Sequence, residues 1–288
     1  MAEPAERVAL VTGASAGIGL YTALGLARAG FRVIITGRDG ARLQEARRIV
    51  AEQSGSDLVE TARADFAILD AVRHLAATVL ARHERLDLLV NNAGLITPRF
   101  RLSEEGYELT IAVNHLAPFL LTNLLLERLR ASAEPDVTPR IVTVASQAHR
   151  GARLDLAAPG GLAGPHDWSP LKAYGRSKLC NILFTRALAR RLEGSGVVAA
   201  SLHPGVVATT IGNHAGIVAG FGWRLVKPFL ITPEKGARTS LFLATTPDPA
   251  PFHGGYVVGR KLKQPDPAAL DDDLAERLWS ASARLVGL

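Results

Sequence analysis

Short apolar runs rich in β-branched residues alternate along this chain with longer segments of helical periodicity. The alternation is typical of repeated βαβ units, in which helices cover both faces of a buried parallel sheet. It predicts an α/β protein with a single doubly wound parallel sheet. The predicted strands are 8–11, 32–36, 87–90, 140–144 and 197–202, and the predicted helices are 17–29, 42–52, 69–82, 104–130 and 171–193.

The length of 288 residues suits one large α/β domain, and neither an internal repeat nor a low-complexity linker divides the sequence. We therefore expect residues 1–288 to form a single domain. A Gly-rich segment with aromatic residues, 204–234, follows the last strong strand. Long loops of this kind commonly serve as lids over substrate pockets, so this segment is the predicted substrate loop.

Composition excludes several classes of function. The formal net charge is +6, but the basic residues are scattered and do not interleave with aromatic residues, so no nucleic acid partner is expected. The single cysteine, Cys180, rules out an internal disulfide and a cysteine-based zinc cluster. Because His115, His149 and His203 lack the spacing of metal ligands, we expect no metal site.

The sequence does not predict a membrane span. Its most apolar stretches, 116–126 and 215–231, are both shorter than the about 18 uncharged apolar residues that a span requires. The second stretch has aromatic residues beside two cations and could touch a bilayer surface. The first ten residues are charged and include Pro4, so they lack the apolar core of a signal peptide, and a cytoplasmic location is expected.

A glycine-rich turn, T-G-A-S-A-G-I-G at 12–19, joins the first predicted strand to the first predicted helix. Gly13, Gly17 and Gly19 allow backbone N–H groups to approach a pyrophosphate, and the helix N-terminus adds a partial positive charge. A glycine triplet alone is often an ordinary tight turn. Its position between a strand and a helix predicts a dinucleotide site.

The second predicted strand leads into T-G-R, and Arg38 stands near the place where NAD-selective folds carry a carboxylate for the adenosine ribose. A guanidinium there can form bidentate bonds with a 2′-phosphate, which favours NADP(H) over NAD(H). The alternative is a solvated arginine, with Asp39 capping the next helix.

Tyr174 and Lys178 are four residues apart in K-A-Y-G-R-S-K, within a predicted helix, and so share one face. A nearby ammonium favours phenolate and lowers the pKa of a tyrosine, which makes Tyr174 a candidate acid–base. Such a pair alone is commonly an exposed helix pair without a role. Three further features favour catalysis: N-N-A-G at 91–94 after a buried strand, Ser146 after the strand 140–144, and Asn114 inside a helix, where asparagine is unfavourable.

In chain order these motifs are the glycine-rich turn, N-N-A-G, the helical Asn114, the strand-end Ser146 and the tyrosine–lysine pair, and in this order they resemble the short-chain dehydrogenase/reductase family over nearly the whole chain. Within it, V-N-H-L-A-P-F-L-L-T-N-L-L-L, S-K-L-C-N-I-L-F-T, H-P-G-V-V and L-A-E-R-L-W-S-A-S-A-R-L-V-G-L are similar to the retinol dehydrogenase and WW-domain oxidoreductase branch. The resemblance implies a Rossmann fold and an NAD(P)-dependent oxidoreductase. It would interconvert a carbonyl and an alcohol on a small, lipophilic organic molecule by hydride transfer.

The resemblance also assigns roles. Tyr174 is the expected general acid–base, Lys178 lowers its pKa and binds the nicotinamide ribose, Ser146 orients the carbonyl, and Asn114 holds a water that relays protons. A homodimer or homotetramer through the long helices is expected. The expected NADP(H)-binding residues are Gly13, Ser15, Ala16, Gly17, Ile18, Gly19, Arg38, Asp65, Phe66, Asn91, Ala93, Gly94, Tyr174, Lys178, Pro204, Gly205, Val207 and Thr209.

Two other functions are compatible with the same type of fold. A catalytically silent NADP(H)-binding regulator is the main alternative, although the intact Ser146, Tyr174 and Lys178 argue against it. A sugar-nucleotide epimerase or dehydratase would have a different glycine spacing and a longer substrate domain. Cys180 is expected to be a core residue, and Trp168 either lines the substrate pocket or packs at a helix junction.

Overall fold

The computed structural model describes residues 6–156, 167–205 and 231–288. Strands and helices alternate through most of these ranges, as predicted. The strands are β1 (Val8–Val11), β2 (Arg32–Gly37), β3 (Val59–Arg63), β4 (Leu88–Asn91), β5 (Arg140–Val144), β6 (Val198–His203), β7 (Tyr256–Val258) and β8 (Lys261–Leu262). The helices are α1 (Gly17–Arg28), α2 (Gly40–Ser54), α3 (Leu69–Arg82), α4 (Leu109–Ile111), α5 (Ala117–Ala131), α6 (Pro170–Arg191), α7 (Pro233–Thr245) and α8 (Asp272–Val286), and the π-helical segment Ala112–Leu116 joins α4 to α5.

The strands form one sheet in the order β3-β2-β1-β4-β5-β6-β7-β8. Neighbouring strands from β3 to β7 are parallel, and β8 is antiparallel to β7. The predicted doubly wound sheet is therefore confirmed. Strand order reverses between β1 and β4, and in such sheets ligands bind in the crevice at the carboxyl ends of the strands on either side of this point.

Alternate strand residues face two separate cores. In β1, Leu10 points into the core under α3, α5 and α6, whereas Ala9 and Val11 point into the core under α1, α2 and α7. Phe119 and Phe184 are among the largest fully buried side chains of the first core. Burial on both faces explains why the central strands are continuous apolar runs in the sequence.

The predicted helix 104–130 begins too early. The structure has a turn at 103–107, in which Gly106 adopts a φ of +81° and its N–H donates to the Ser103 carbonyl at 3.1 Å. The helical stretch begins only after Glu108, whose carboxylate accepts from the Ile111 N–H at 2.8 Å. Strands β3, β7 and β8 and helices α7 and α8 were not among the predicted elements.

Within the described ranges one helical stretch, Leu109–Ala131, is long and apolar enough to cross a membrane, with a mean hydropathy of 1.6. Its apolar window is 89% buried inside the fold. Leu116, Leu120 and Phe119 from this stretch are fully buried in the core beside the sheet. The stretch therefore packs as a core helix.

Helix α8 packs against α5 and α6. Trp279 lies with its ring centroid 4.9 Å from that of Phe119 on α5 and 5.8 Å from that of Phe184 on α6. Arg190 and Arg191 of α6 form ion pairs with Glu276 of α8. Helix α8 therefore covers part of the surface of α5 and α6, the long helices through which a dimer or tetramer is expected to form. Oligomeric assembly stays a prediction.

A buried carboxylate fixes the start of the central strands. Asp87, whose side chain is 3% exposed, accepts from the Val8 N–H at 2.7 Å and from the Arg85 guanidinium at 2.7 Å. Removing the carboxylate would leave the buried Val8 N–H without an acceptor, and the partly exposed Arg85 would keep only Glu134 as an ionic partner. Asp87 therefore ties the beginning of β1 to the beginning of β4.

We expect Asp87→Ala to lower the free energy of unfolding by about 1–3 kcal/mol, the usual cost of leaving a buried donor without its acceptor. Urea unfolding followed by circular dichroism measures the change. The matched control is Glu45→Ala, which removes a carboxylate from an ion pair with Arg48 on α2 in which both side chains are more than half exposed, and it should stay close to wild type. Equal stabilities for the two variants would contradict this role of Asp87.

Candidate active site

The glycine-rich turn packs tightly against the segment that follows β4. A Cβ at Gly13 would lie 2.7 Å from the Ala93 Cα, and a Cβ at Gly19 would lie 2.5 Å from both the Gly13 carbonyl oxygen and the Asn92 Nδ2. Gly13 and Gly17 also have positive φ angles of +64° and +62°. Glycine is therefore required here both by the close contacts and by the backbone conformation.

The start of α1 fits an anionic group. Its N-cap residue, Ala16, has no side chain that can bond the first N–H groups, and the first turn contains no acidic residue. These N–H groups and the helix dipole favour negative charge at this end of the helix. The turn thus has the backbone donors that a dinucleotide pyrophosphate requires.

The N-N-A-G segment holds the turn through specific hydrogen bonds. Asn92 Nδ2 donates to the Thr12 carbonyl at 2.8 Å, and the Ala93 N–H donates to the Thr12 hydroxyl at 2.9 Å. Asn91, expected at the ribose, is buried and donates through Nδ2 to the Thr122 hydroxyl on α5 at 2.9 Å. In the structure, Asn91 therefore braces the sheet against α5, and Asn92 braces the glycine turn.

Three exposed arginines lie at the carboxyl ends of β2 and β3. Arg38 follows β2, and Arg42 lies in the first turn of α2, which Asp39 caps by accepting from the Arg42 N–H at 3.1 Å. Arg63 ends β3 in register with Gly37, and its Nε donates to the Arg38 carbonyl at 2.9 Å. Sequence reasoning missed Arg63 because it did not predict β3.

The predicted adenine neighbours come next along the chain. Asp65 is partly exposed and accepts from the Ala67 N–H at 2.9 Å, which shapes the turn into α3. Phe66 is buried in the core beside Leu69. Of the two, only Asp65 presents a polar group near the surface.

Lys178 anchors α6 to the end of β5. Its Nζ is buried and donates to the Val144 carbonyl at 2.8 Å, and Asn181, nearly one turn later, donates to the same oxygen at 3.3 Å. The Nζ atom also lies 5.5 Å from the centroid of the Tyr174 ring. Because Ser146 follows Val144 by two residues, this anchor brings the serine, the tyrosine and the lysine together.

Burial changes the pKa values of both Lys178 and Tyr174. It lowers the pKa of Lys178 to about 8. It also raises the pKa of the Tyr174 phenol, and interaction with the Ser146 hydroxyl acts in the opposite direction without cancelling the shift. The net direction is therefore opposite to the one expected from the sequence, and desolvation of the phenolate is its largest cause.

Asn114 lies in the π-helical segment, a type of distortion that is frequent at functional sites. Its amide is fully used: Oδ1 accepts from the Leu95 N–H at 2.7 Å, and Nδ2 donates to the Leu95 carbonyl at 2.9 Å and to the Ser177 hydroxyl at 3.0 Å. A Cβ at Gly94 would lie 3.3 Å from the Asn114 Oδ1 and 3.6 Å from the Lys178 Nζ. Asn114 and Lys178 therefore border the same small space above Gly94, while the water expected at Asn114 stays a prediction.

Of the remaining predicted residues, those directly after β6 are described by the structure and those further along the loop are not. Pro204 and Gly205 follow β6, and Gly205 has a φ of +93°. Val207, Thr209 and most of the predicted substrate loop 204–234 lie outside the described residues. Trp168 precedes α6, and its Nε1 donates to the buried Glu108 carboxylate at 3.0 Å.

The side chains of Cys180 and His115 are both buried in the fold. Cys180 is fully buried, which raises the pKa of its thiol, in keeping with the predicted core position. His115 is also fully buried, and its Nε2 lies 2.8 Å from the Ser282 hydroxyl on α8. Among the residues that the structure describes, no cluster of histidine, cysteine and carboxylate side chains could hold a metal ion.

Comparison with known proteins agrees with this architecture. The family model for short chain dehydrogenases matches residues 7–158. Human retinol dehydrogenase 13 is 40% identical over 296 residues, covering 98% of this chain and 85% of that protein. Bovine dehydrogenase/reductase SDR family member 13 is 41% identical over 288 residues, covering 98% of this chain and 74% of that protein.

Solved structures show the same fold. An uncharacterised protein from Mycobacterium paratuberculosis is 32% identical with a TM-score of 0.78, covering 98% of this chain and 94% of that one. Pseudomonas aeruginosa RhlG, solved with NADP, is 28% identical with a TM-score of 0.69, covering 88% and 94%. With its glycine turn, its N-N-A-G segment and its tyrosine–lysine pair in place, the chain belongs to the short-chain dehydrogenase/reductase family of NAD(P)-dependent oxidoreductases.

Proposed function

We propose that this protein is an NADP(H)-dependent oxidoreductase that interconverts a carbonyl and an alcohol on a small lipophilic molecule, with Tyr174 as the general acid–base. The observation that carries the proposal is the meeting of Tyr174, Lys178 and Ser146 at the carboxyl end of the sheet, beside the glycine turn. Groups from two separate parts of the chain, α6 and the end of β5, are joined there by the buried hydrogen bond from Lys178 to the Val144 carbonyl.

The cofactor is proposed from the donors that the chain provides. The glycine turn and the start of α1 would hold the pyrophosphate, and Arg38 with Arg63 would hold a 2′-phosphate by charge-assisted hydrogen bonds. NADP(H), when bound, supplies or accepts a hydride at its nicotinamide. The presence of NADP in the related RhlG structure supports this choice.

In the reductive direction the side chains have separate tasks. The Ser146 hydroxyl donates a hydrogen bond to the substrate oxygen, and the Tyr174 phenol transfers its proton to that oxygen as negative charge develops. The raised pKa of Tyr174 keeps the phenol protonated at neutral pH, as a proton donor must be. The buried Lys178 ammonium then stabilises the tyrosinate until a proton returns, and in the oxidative direction the tyrosinate accepts the alcohol proton.

The substrate class is proposed from the relatives and from the side chains near the head of α6. Several relatives similar to this chain over 98% of its length are named retinol dehydrogenases. Trp168 packs edge-on against Phe100, with 5.9 Å between the ring centroids, close to the end of α6 that carries Tyr174. Retinaldehyde and medium-chain aldehydes are therefore the first substrates to test.

We expect Tyr174→Phe to lower kcat at least about 100-fold, the usual contribution of general acid–base catalysis. NADPH oxidation with a panel of aldehydes, followed by absorbance, measures turnover, and quenching of protein fluorescence measures NADPH binding, which should be retained. The control is Tyr21→Phe, because Tyr21 packs against the core on the α1 side of the sheet.

The outcomes separate the two candidate functions. Near-normal turnover in Tyr174→Phe would remove Tyr174 from the mechanism. A wild-type protein that binds NADPH but oxidises it with no member of the panel would instead support the catalytically silent regulator.

We expect Arg38→Gln to weaken NADPH binding by about 10–100-fold, since hydrogen bonds to charged groups contribute about 1.5–3 kcal/mol. NADH, which lacks the 2′-phosphate, should bind as in wild type. Fluorescence titration with both dinucleotides measures the ratio of affinities. Arg28→Gln is the control, because it removes an exposed cation that bonds the Gln53 carbonyl at the far end of α1; an unchanged ratio in Arg38→Gln would contradict the proposed cofactor preference.

A further inference from the structure

We propose that His149 is a positioning residue for catalysis: it ties the turn that carries Ser146 to the C-terminal segment at Asp266. The inference rests on the proposed role of Ser146. The turn, residues 146–149, follows β5 and is a single turn of 3-10 helix, so its own hydrogen bonds are few. A catalytic hydroxyl on so short an element needs support from elsewhere in the fold.

The two ring nitrogens of His149 bond two separate backbone groups. Nδ1 lies 2.6 Å from the Ser146 carbonyl oxygen, and Nε2 accepts from the Asp266 N–H at 3.0 Å. An N–H can only donate, so Nε2 carries no proton, and Nδ1 must carry the proton that it donates to Ser146. The contacts therefore define one neutral tautomer that bridges the serine and the C-terminal segment.

The surroundings keep His149 in this neutral form. Its side chain is fully buried, and its ring meets the Tyr256 ring edge-on with 5.1 Å between centroids. Burial lowers the pKa of His149, and the facing charges oppose each other, with Arg150 lowering it and Asp266 raising it. The bridge is therefore intact at neutral pH.

On its other side the turn packs against α6 beside Tyr174. A Cβ at Gly175 would lie 2.6 Å from the Ala148 carbonyl oxygen. The Gln147 N–H donates to His203 Nδ1 at 3.4 Å, at the end of β6. The turn is thus held between α6, β6 and the C-terminal segment, and its displacement would move Ser146 relative to Tyr174.

The C-terminal end of the bridge is itself fixed. The Asp266 carboxylate accepts from the Gly151 N–H at 3.0 Å and from the Ala268 N–H at 3.0 Å. Arg150 donates to the Gln264 carbonyl at 2.9 Å. His149 therefore connects Ser146 to a segment that is also bonded to Arg150 and Gly151, the two residues after the histidine, and whose own turn is capped by Asp266.

The first test compares His149→Phe with His149→Asn. Phenylalanine keeps a ring beside Tyr256 and loses both hydrogen bonds, whereas the shorter asparagine amide can still donate to the Ser146 carbonyl. We expect His149→Phe to lower kcat by about 10–100-fold, as displacement of a catalytic group by about 1 Å does, with NADPH affinity within about twofold of wild type. The kcat of His149→Asn should be at least about threefold higher than that of His149→Phe.

The matched control is His253→Phe. His253 also bridges two backbone groups, since its Nδ1 accepts from the Ala199 N–H at 3.3 Å and its Nε2 lies 2.9 Å from the Ala189 carbonyl oxygen, but neither group belongs to the serine turn. Its kcat should match wild type. If the kcat of His149→Phe also matches wild type, or if asparagine at 149 gives no recovery, the proposal is overturned.

A second test removes the other end of the bridge. Asp266 has a φ of −63°, close to the value that proline fixes. Asp266→Pro deletes the N–H donor, whereas Asp266→Ala loses the same carboxylate and keeps that donor. We expect kcat to be at least about threefold lower for Asp266→Pro than for Asp266→Ala. Equal values would show that the N–H bond to His149 does not position the serine. This pair reports on the bridge even if His149→Phe folds poorly.

The Ser146→Ala background separates failure of this inference from failure of the proposed function. Because His149 is proposed to act through Ser146, His149→Phe should lower kcat by less than about twofold when Ser146 is already alanine. If His149→Phe lowers kcat as strongly in the Ser146→Ala background as in wild type, the positioning role is overturned and the role of Ser146 stays intact. A Ser146→Ala enzyme with wild-type kcat would instead overturn the proposed role of Ser146, and the inference with it.

Discussion

The hydrogen bond between the Lys178 ammonium and the Val144 carbonyl is the contact on which the candidate site depends. A buried cation must find polar partners, because its transfer from water is costly. Here the carbonyl at the end of β5 is such a partner, at 2.8 Å, and α6 is drawn against the edge of the sheet. Tyr174 precedes the lysine by about one helical turn and Ser146 follows the carbonyl by two residues, so one bond fixes the relative positions of both.

The glycine turn has an equivalent constraint where β1 meets β4. Thr12 accepts through its carbonyl from Asn92 and through its hydroxyl from the Ala93 N–H, so the glycine turn and the N-N-A-G segment form one unit. Gly94 ends that segment, and the space beside it is bordered by Asn114 and Lys178. The glycine turn and the tyrosine–lysine pair are therefore adjacent parts of one hydrogen-bonded edge of the sheet.

The sequence predicted the features that depend on local pattern. The central strands are apolar on both faces, and the glycine turn and the tyrosine–lysine pair have fixed spacings, so they could be placed without a structure. Strand β3 reads V-E-T-A-R, too polar to be recognised as a strand, and Arg63 was missed with it. The upward shift of the Tyr174 pKa was not predicted, because desolvation depends on packing from distant elements, which no local spacing reveals.

The same distinction explains why the sequence predicts no role for His149. Its partner Asp266 is 117 residues away along the chain and is reached through a backbone N–H, a group that every residue except proline carries and that leaves no trace in a sequence motif. The serine turn is consequently stabilised from three directions by elements that fold around it: α6, β6 and the C-terminal segment. On the proposed role of Ser146, its hydroxyl must keep its place while charge develops on the substrate oxygen, and the C-terminal segment would then contribute to catalysis by holding the serine turn in place.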